Sequence, residues 1–228
     1  LKLKLRLKKI HQMNGGVKKI QNMKSINNDI TISQKQYLNL QIVKRYLGPL
    51  MKQLDGLDYY FYGGCIRDVY MGITPNDIDL GTHNKEHIDL ITARLQKCGY
   101  HLDVITPYGY KMNYLNASID LSNWQTLQVS EKISDFDFTI NTIALTSKYE
   151  FIFHRTTLDD IDNRILKETI QSTGRKHPDI HGRTTKFYSR GFTHHNSPPI
   201  PSVNVELVST YIKDVEWAER EFDLRIRT

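Results

Sequence analysis

Apolar positions along the chain alternate between two periods, and the changes of period mark the elements. Leu40, Val43, Leu47, Leu50 or Met51, and Leu54 recur at helical spacing, preceded by Ser33 and Gln36 in the form of a capping box. Gly48-Pro49 should kink or divide that helix, because proline lacks an N–H and crowds the preceding turn. Asp55-Gly56 should end it and turn the chain into an aromatic strand, Tyr59 to Tyr62. Gly63-Gly64 then leads into a helical turn from Cys65 to Met71, closed by Gly72. Asn76 to Leu80 reads as a strand, and Asn84 caps a helix whose stripe is Ile88, Ile91, Leu95 and Cys98, with Gly99 as its stop. His101 to Ile105, Tyr108 to Leu115 and Ala117 to Trp124 read as three strands joined by short turns, and Tyr149 to Phe153 as another. Residues 172–202 are rich in Gly, Pro, Ser, His and Asn without a sustained period, which predicts a loop or linker. Leu207, Tyr211, Val215, Ala218 and Phe222 form a stripe that predicts a C-terminal amphipathic helix within 203–228.

Mixed strands and helices over 228 residues, 39% hydrophobic, suit one α+β domain with a small appendage. No apolar run approaches the roughly 18 residues of a membrane span, so an intracellular, cytoplasmic setting is the expectation, with nucleus or organelle left open. Cys65 and Cys98 have neither metal-ligand spacing nor the number for a disulfide framework. Charge is unevenly placed. Residues 1–28 hold eight of the 31 basic residues and no acid, so the net +6 belongs to this stretch. A basic arm over 1–30 could reach RNA phosphates, or be a solvated leader; the charge block fits either. The histidines His177, His181, His194 and His195 lack finger spacing and cysteine companions, and solvated side chains account for them.

The chemistry concentrates between Tyr60 and Thr82. A strand period of two places Asp77 and Asp79 on one face while Ile78 and Leu80 enter the core. Two such carboxylates repel unless protonated or bridged, and a divalent cation bridges them economically. Gly63 and Gly64 bring bare backbone N–H groups to a helix start, where a phosphate can approach. By the same alternation Asp120 faces away from Ile119 and Leu121, where a third carboxylate could meet the pair, or it is an ordinary surface acid.

Gly63-Gly64, Arg67-Asp68, Gly72 and Asp77-x-Asp79, followed by Thr82, resemble in order and spacing the signature of the tRNA nucleotidyltransferase and bacterial poly(A) polymerase family. That family lies within the polymerase-beta-like nucleotidyltransferases. The resemblance covers about residues 35–170 and implies a mixed sheet with flanking helices, a head domain over 31–171. It implies a template-independent transfer of a nucleoside monophosphate from ATP or CTP to an RNA 3′-hydroxyl, with release of diphosphate. Two Mg²⁺ ions would be held by Asp77, Asp79 and Asp120. The glycine pair would cradle the triphosphate, with Arg67 either on phosphate or in a structural network with Asp68.

Asp137-Phe138-Thr139-Ile140-Asn141 matches a second motif, by which Asp137 and Asn141 inherit a role in positioning the nucleotide's sugar. The two arginines that usually precede it are Asp135 and Phe136 here. The later base-selecting motif is not supplied by Lys213-Asp214 and Trp217. Transfer to a small molecule or protein, or a head retained only for RNA or protein binding, are the competing readings. The C-terminal helix is the expected surface for a protein partner or a dimer.

Overall fold

Helix α1 (Gln34–Gln53) begins where Ser33 accepts a hydrogen bond from the Gln36 N–H and the Gln36 side chain accepts one from the Ser33 N–H, the expected reciprocal cap. It runs unbroken through Pro49. The proline faces outward, so the one helical bond it forgoes lies on the solvent side. The computed structural model describes residues 31–115, 117–124, 128–170, 179–201 and 207–211. The basic stretch 1–30 lies outside them.

Strand β1 (Tyr60–Tyr62) leads through Gly63 to α2 (Gly64–Tyr70), then β2 (Ile78–Thr82) and α3 (Lys85–Lys97). Next come β3 (His101–Thr106), β4 (Gly109–Tyr114), β5 (Ala117–Asn123), α4 (Val129–Ser134) and a single 3₁₀ turn at Thr139–Asn141. Strands β6 (Ile143–Thr146) and β7 (Glu150–His154), α5 (Thr157–Asp162), β8 (Ile165–Leu166) and β9 (Thr169–Ile170) follow. The later described elements are α6 (Ile180–Tyr188), β10 (Thr193–His194), β11 (Ile200–Pro201) and β12 (Leu207–Tyr211).

Eight strands form one sheet in the order β12-β7-β6-β1-β2-β5-β4-β3. Every pairing in it is antiparallel except β2 with β5, so this is the mixed sheet of an α+β fold. Phe61, Leu80, Ile119, Leu121 and Met112 project into one core with Leu40, Val43, Leu47, Ile66, Val69, Ile91 and Leu95 from the helices. The opposite face carries a smaller aromatic cluster of Tyr60, Tyr62 and Trp124, covered by Ile133 of α4 and flanked by Phe136. The period-two alternation of β1, β2 and β5 thus separates the face of the main core from the face that carries Asp79 and Asp120.

Three expectations need correction. Strand β2 starts at Ile78 rather than Asn76, so Asp77 sits at its entrance. The linker expected over 172–202 contains helix α6 and the short strands β10 and β11, parallel to β8 and β9. Phe187 docks that helix, inserting edge-on against Phe138 and Phe192, and Ile180 packs partly buried against the same core. At the end, Leu207–Tyr211 is a strand antiparallel to β7, not part of a helix. Val208 and Thr210 alternate inward, and the free edge of β7 offers hydrogen bonds to a segment rich in β-branched and aromatic residues. Residues 212–228, with Val215, Ala218 and Phe222 and the expected partner surface, lie outside the described residues.

Candidate active site

The acids are brought together by strand register. In the parallel pairing of β2 with β5, Asp79 stands directly opposite Asp120, with Ile78 opposite Ile119 and Leu80 opposite Leu121. Both carboxylates therefore share the face away from the main core. Asp77, one step before the strand, is near enough to act on the same carboxylate. Burial, then Asp77, then Asp120 push the Asp79 carboxyl up to about 7, while Arg67 and Arg183 oppose the rise. On the next strand Lys111 lies opposite Asp120, its Nζ 3.6 Å from Oδ1. That distance makes an ion pair and not a hydrogen bond, so Asp120 Oδ1 remains buried with no hydrogen-bond partner.

The glycine turn abuts these acids. Gly63 has φ +66° and ψ −129°, a backbone region that a Cβ all but forbids. A Cβ placed there would lie 3.8 Å from Asp79 Oδ2 and 3.6 Å from the Phe136 ring, and one on Gly64 would lie 3.9 Å from Asp79 Oδ2. The glycine turn therefore lies beside the Asp79 carboxylate. Beside it, Trp124 packs on Gly81 so closely that a Cβ on Gly81 would come within 2.9 Å of the indole. Tyr62 donates to Ser122 Oγ at 3.1 Å, tying β1 to β5 on the acid face.

Arg67, Asp68, Asp137 and Asn141 sit deeper. Arg67 is 4% exposed. Its Nε and Nη2 donate to Asp68 Oδ1 at 2.9 and 2.7 Å, and its Nη1 donates to Asn141 Oδ1. Asn141 Nδ2 in turn donates to Asp137 Oδ1 at 2.8 Å. Asp137 is 3% exposed, and its other oxygen accepts from Arg183 Nε. The 3₁₀ turn that carries Asn141 is fixed from behind, Thr139 donating to Asp160 Oδ2 at 2.8 Å and Thr157 to the Thr139 carbonyl at 2.8 Å. Of the two positions where arginines were missing, Phe136 turns its ring onto Gly63 and Tyr62. Cations come instead from α6 and its exit, Arg183 to Asp137 and Arg190 to Asp68. Sequence reasoning missed both, although Arg183, Phe187 and Arg190 at i, i+4 and i+7 would share a helix face.

Among the described residues, no three His, Cys, Asp or Glu side chains are gathered into a preformed metal cage. The donors nevertheless suit a hard divalent cation. They are carboxylate oxygens, one of them buried without a hydrogen bond, in a cluster whose mutual repulsion a cation would relieve.

The fold is that of the polymerase-beta-like nucleotidyltransferases, and the sequence is related to the CCA-adding and tRNA nucleotidyltransferases. The chain belongs to the Gabija anti-defense 2 family, whose pattern matches residues 34–164. Similar curated proteins include the CC-adding tRNA nucleotidyltransferase of Shouchella clausii, 28% identical over 114 residues, which are 49% of this chain and 29% of that protein. A CCA-adding enzyme of Lactobacillus delbrueckii subsp. bulgaricus is 25% identical over 145 residues, 58% of this chain and 37% of that one. This chain thus spans about a third of the length of these relatives. Among solved structures, a Thermotoga maritima CCA-adding enzyme complexed with tRNA superposes with a TM-score of 0.51 at 16% identity, over 73% of this chain and 40% of that one. A CCA-adding enzyme with CTP gives 0.52 at 15% identity, over 70% and 42%. At such identities these two report the fold. Among the described residues, no helix is long and apolar enough to cross a membrane.

Proposed function

We propose that the protein is a metal-dependent nucleotidyltransferase that moves a nucleoside monophosphate from ATP or CTP to a hydroxyl acceptor, the 3′ end of an RNA in the first reading. The observation that carries this is the register pairing of Asp79 with Asp120 beside the glycine turn. The acceptor oxygen attacks the α-phosphorus, the bond from that phosphorus to the bridging oxygen breaks, diphosphate departs and the hydroxyl proton passes to solvent. Asp77, Asp79 and Asp120 would hold two Mg²⁺ ions, which supply activation of the hydroxyl and neutralisation of the leaving charge. Gly63 and Gly64 leave backbone room for the triphosphate within reach of those acids. Asp137 and Asn141 are buried, and act by fixing their neighbours more than by direct contact with the sugar.

A second reading concerns the acceptor. The family takes its name from countering the Gabija defence. That name favours a component of that defence, nucleic acid or protein, as the molecule modified.

The test is incubation of purified protein with Mg²⁺, α-labelled ATP or CTP, and in parallel short RNA, unprocessed tRNA and purified Gabija components. Labelled acceptor that disappears with Asp79→Ala supports the proposal, and the labelled species decides between the acceptors. No labelled product with any acceptor, or label undiminished by Asp79→Ala, overturns it.

A further inference from the structure

Helix α6 lies beyond the stretch that matches the family, yet it delivers the outer charges of the site. Arg183 on α6 and Arg190 just past its end flank Phe187, and Phe187 is buried against Phe138 and beneath the Arg67 guanidinium, 4.8 Å from its ring centre. Docking this one aromatic sets both arginines at once. They terminate a continuous ladder: Arg183 to Asp137, Asp137 to Asn141, Asn141 to Arg67, Arg67 to Asp68, Asp68 to Arg190.

The two ends differ in what they have left to give. Arg190 Nη1 is shared between both oxygens of Asp68, at 3.1 and 3.3 Å. Arg183 uses only Nε, on Asp137, and its two terminal amino groups make no hydrogen bond among the described residues. Its side chain is 40% exposed while that of Asp137 is 3% exposed. A guanidinium whose only task was to neutralise Asp137 would gain more from a two-pronged contact than from its inner nitrogen alone. The ladder that Arg183 ends abuts the glycine turn: a Cβ on Gly63 would lie 4.0 Å from the Asn141 carbonyl oxygen, and one on Gly64 3.4 Å from Arg67 Nη2.

We propose that Arg183 is the triphosphate-gripping cation of the site, its Nε locked by Asp137 and its two terminal amino groups free to receive phosphate oxygens of the incoming nucleoside triphosphate. This rests on the nucleotidyltransferase reading and deepens it. Asp137 is then a positioning residue, and α6 supplies the positive charge absent from positions 135 and 136. Phosphate oxygens offer the planar fork two parallel hydrogen bonds, a match an ammonium cannot reproduce.

The experiment is calorimetric titration of the full chain with ATP, ADP, AMP and tripolyphosphate in Ca²⁺, with steady-state kinetics in Mg²⁺ alongside. Arg183→Ala should weaken ATP and tripolyphosphate about 10- to 100-fold, the worth of one charge-assisted contact. ADP should lose less and AMP nothing, while KM rises and kcat stays within a few-fold. Arg183→Lys should recover part of the loss, and Asp137→Asn should reproduce the same dependence on phosphate number. Lys186→Ala, which removes an exposed cation from the same helix, should leave ATP affinity unchanged. Circular dichroism identifies a misfolded Ala variant, in which case Arg183→Lys and Asp137→Asn carry the test. ATP affinity within twofold of wild type in Arg183→Ala, or equal losses for AMP and ATP, overturns the inference while leaving the transfer reading standing. Arg183-dependent ATP binding without any labelled acceptor overturns the transfer reading and supports this one. Wild-type protein that binds neither ATP nor tripolyphosphate overturns both.

Discussion

Replacing Asp79 by Asn should stabilise the metal-free protein, and only at neutral to alkaline pH. Asp79 is held between Asp77 and Asp120 in a largely buried position, and its carboxyl is raised from 3.8 to about 7. An unfolded chain has no such cluster, so its Asp79 titrates near the ordinary value. Between pH 4 and 7 the folded state therefore binds more protons than the unfolded state, and stability falls as pH rises through this window. A tenfold change in proton affinity is worth about 1.4 kcal/mol, so a carboxyl that titrates near 7 instead of 3.8 costs the ionised folded state about 4 kcal/mol once the pH is above about 8. Asparagine keeps the shape and cannot ionise. In urea denaturation with EDTA, Asp79→Asn should thus exceed wild type by about 2–4 kcal/mol at about pH 8.5 and match it at about pH 4.5. Mg²⁺ should then raise the wild-type midpoint far more than that of the variant, because the variant has lost both the repulsion and a ligand. A difference that does not vary with pH, or a variant less stable than wild type at the alkaline end, would refute the reasoning.

Further outcomes follow from the same geometry. Gly63→Ala puts a Cβ at φ +66° and ψ −129° and should cost about 1–3 kcal/mol in urea denaturation; an unchanged midpoint would mean the turn relaxes freely. Asp68→Ala strands the buried Arg67 and removes the partner of Arg190, so a loss of about 3–5 kcal/mol is expected from breaking a buried pair. Less than about 1 kcal/mol would show the ladder to be dispensable. Deleting residues 1–28 removes eight cations, and RNA affinity should drop most at low salt with a shallower dependence of log affinity on log salt. Identical salt slopes before and after deletion would remove any part for this arm in binding.

What the sequence disclosed was what local chemistry determines. Ser33 and Gln36 form a cap whichever fold surrounds them, and Asn84 accepts from the Glu86 N–H as its position before an apolar stripe implies. Alternation in Ile78-Asp79-Leu80 and Ile119-Asp120-Leu121 put the carboxylates on the face opposite the core, and register then had only to align the strands. The end of the chain misled because Leu207 and Tyr211 fit a helical spacing of four and a strand spacing of two equally well. The open edge of β7 decided it, and an open edge is a property of the finished sheet, invisible in five residues.

Helix α6 was missed for a related reason, and the reason bears on the site. Of Ile180 to Tyr188 only Phe187 is fully buried, Ile180 packs partly buried against the same core, and the residues between are mostly polar or basic, so no sustained apolar stripe announces the helix. A helix with so little apolar surface gains little from burying it; what holds it besides Phe187 is the pairing of Arg183, and of Arg190 just past its end, with carboxylates already committed to the interior. Asp68 and Asp137 would be costly to bury without those partners, and Arg183 and Arg190 would have no reason to return to the head without the acids. The glycine-acid motif and the distant helix therefore stabilise each other through charge. The acids can be read within a motif of about twenty residues, whereas the counter-ion of Asp68 becomes legible only once the chain has folded back over more than a hundred residues to meet it.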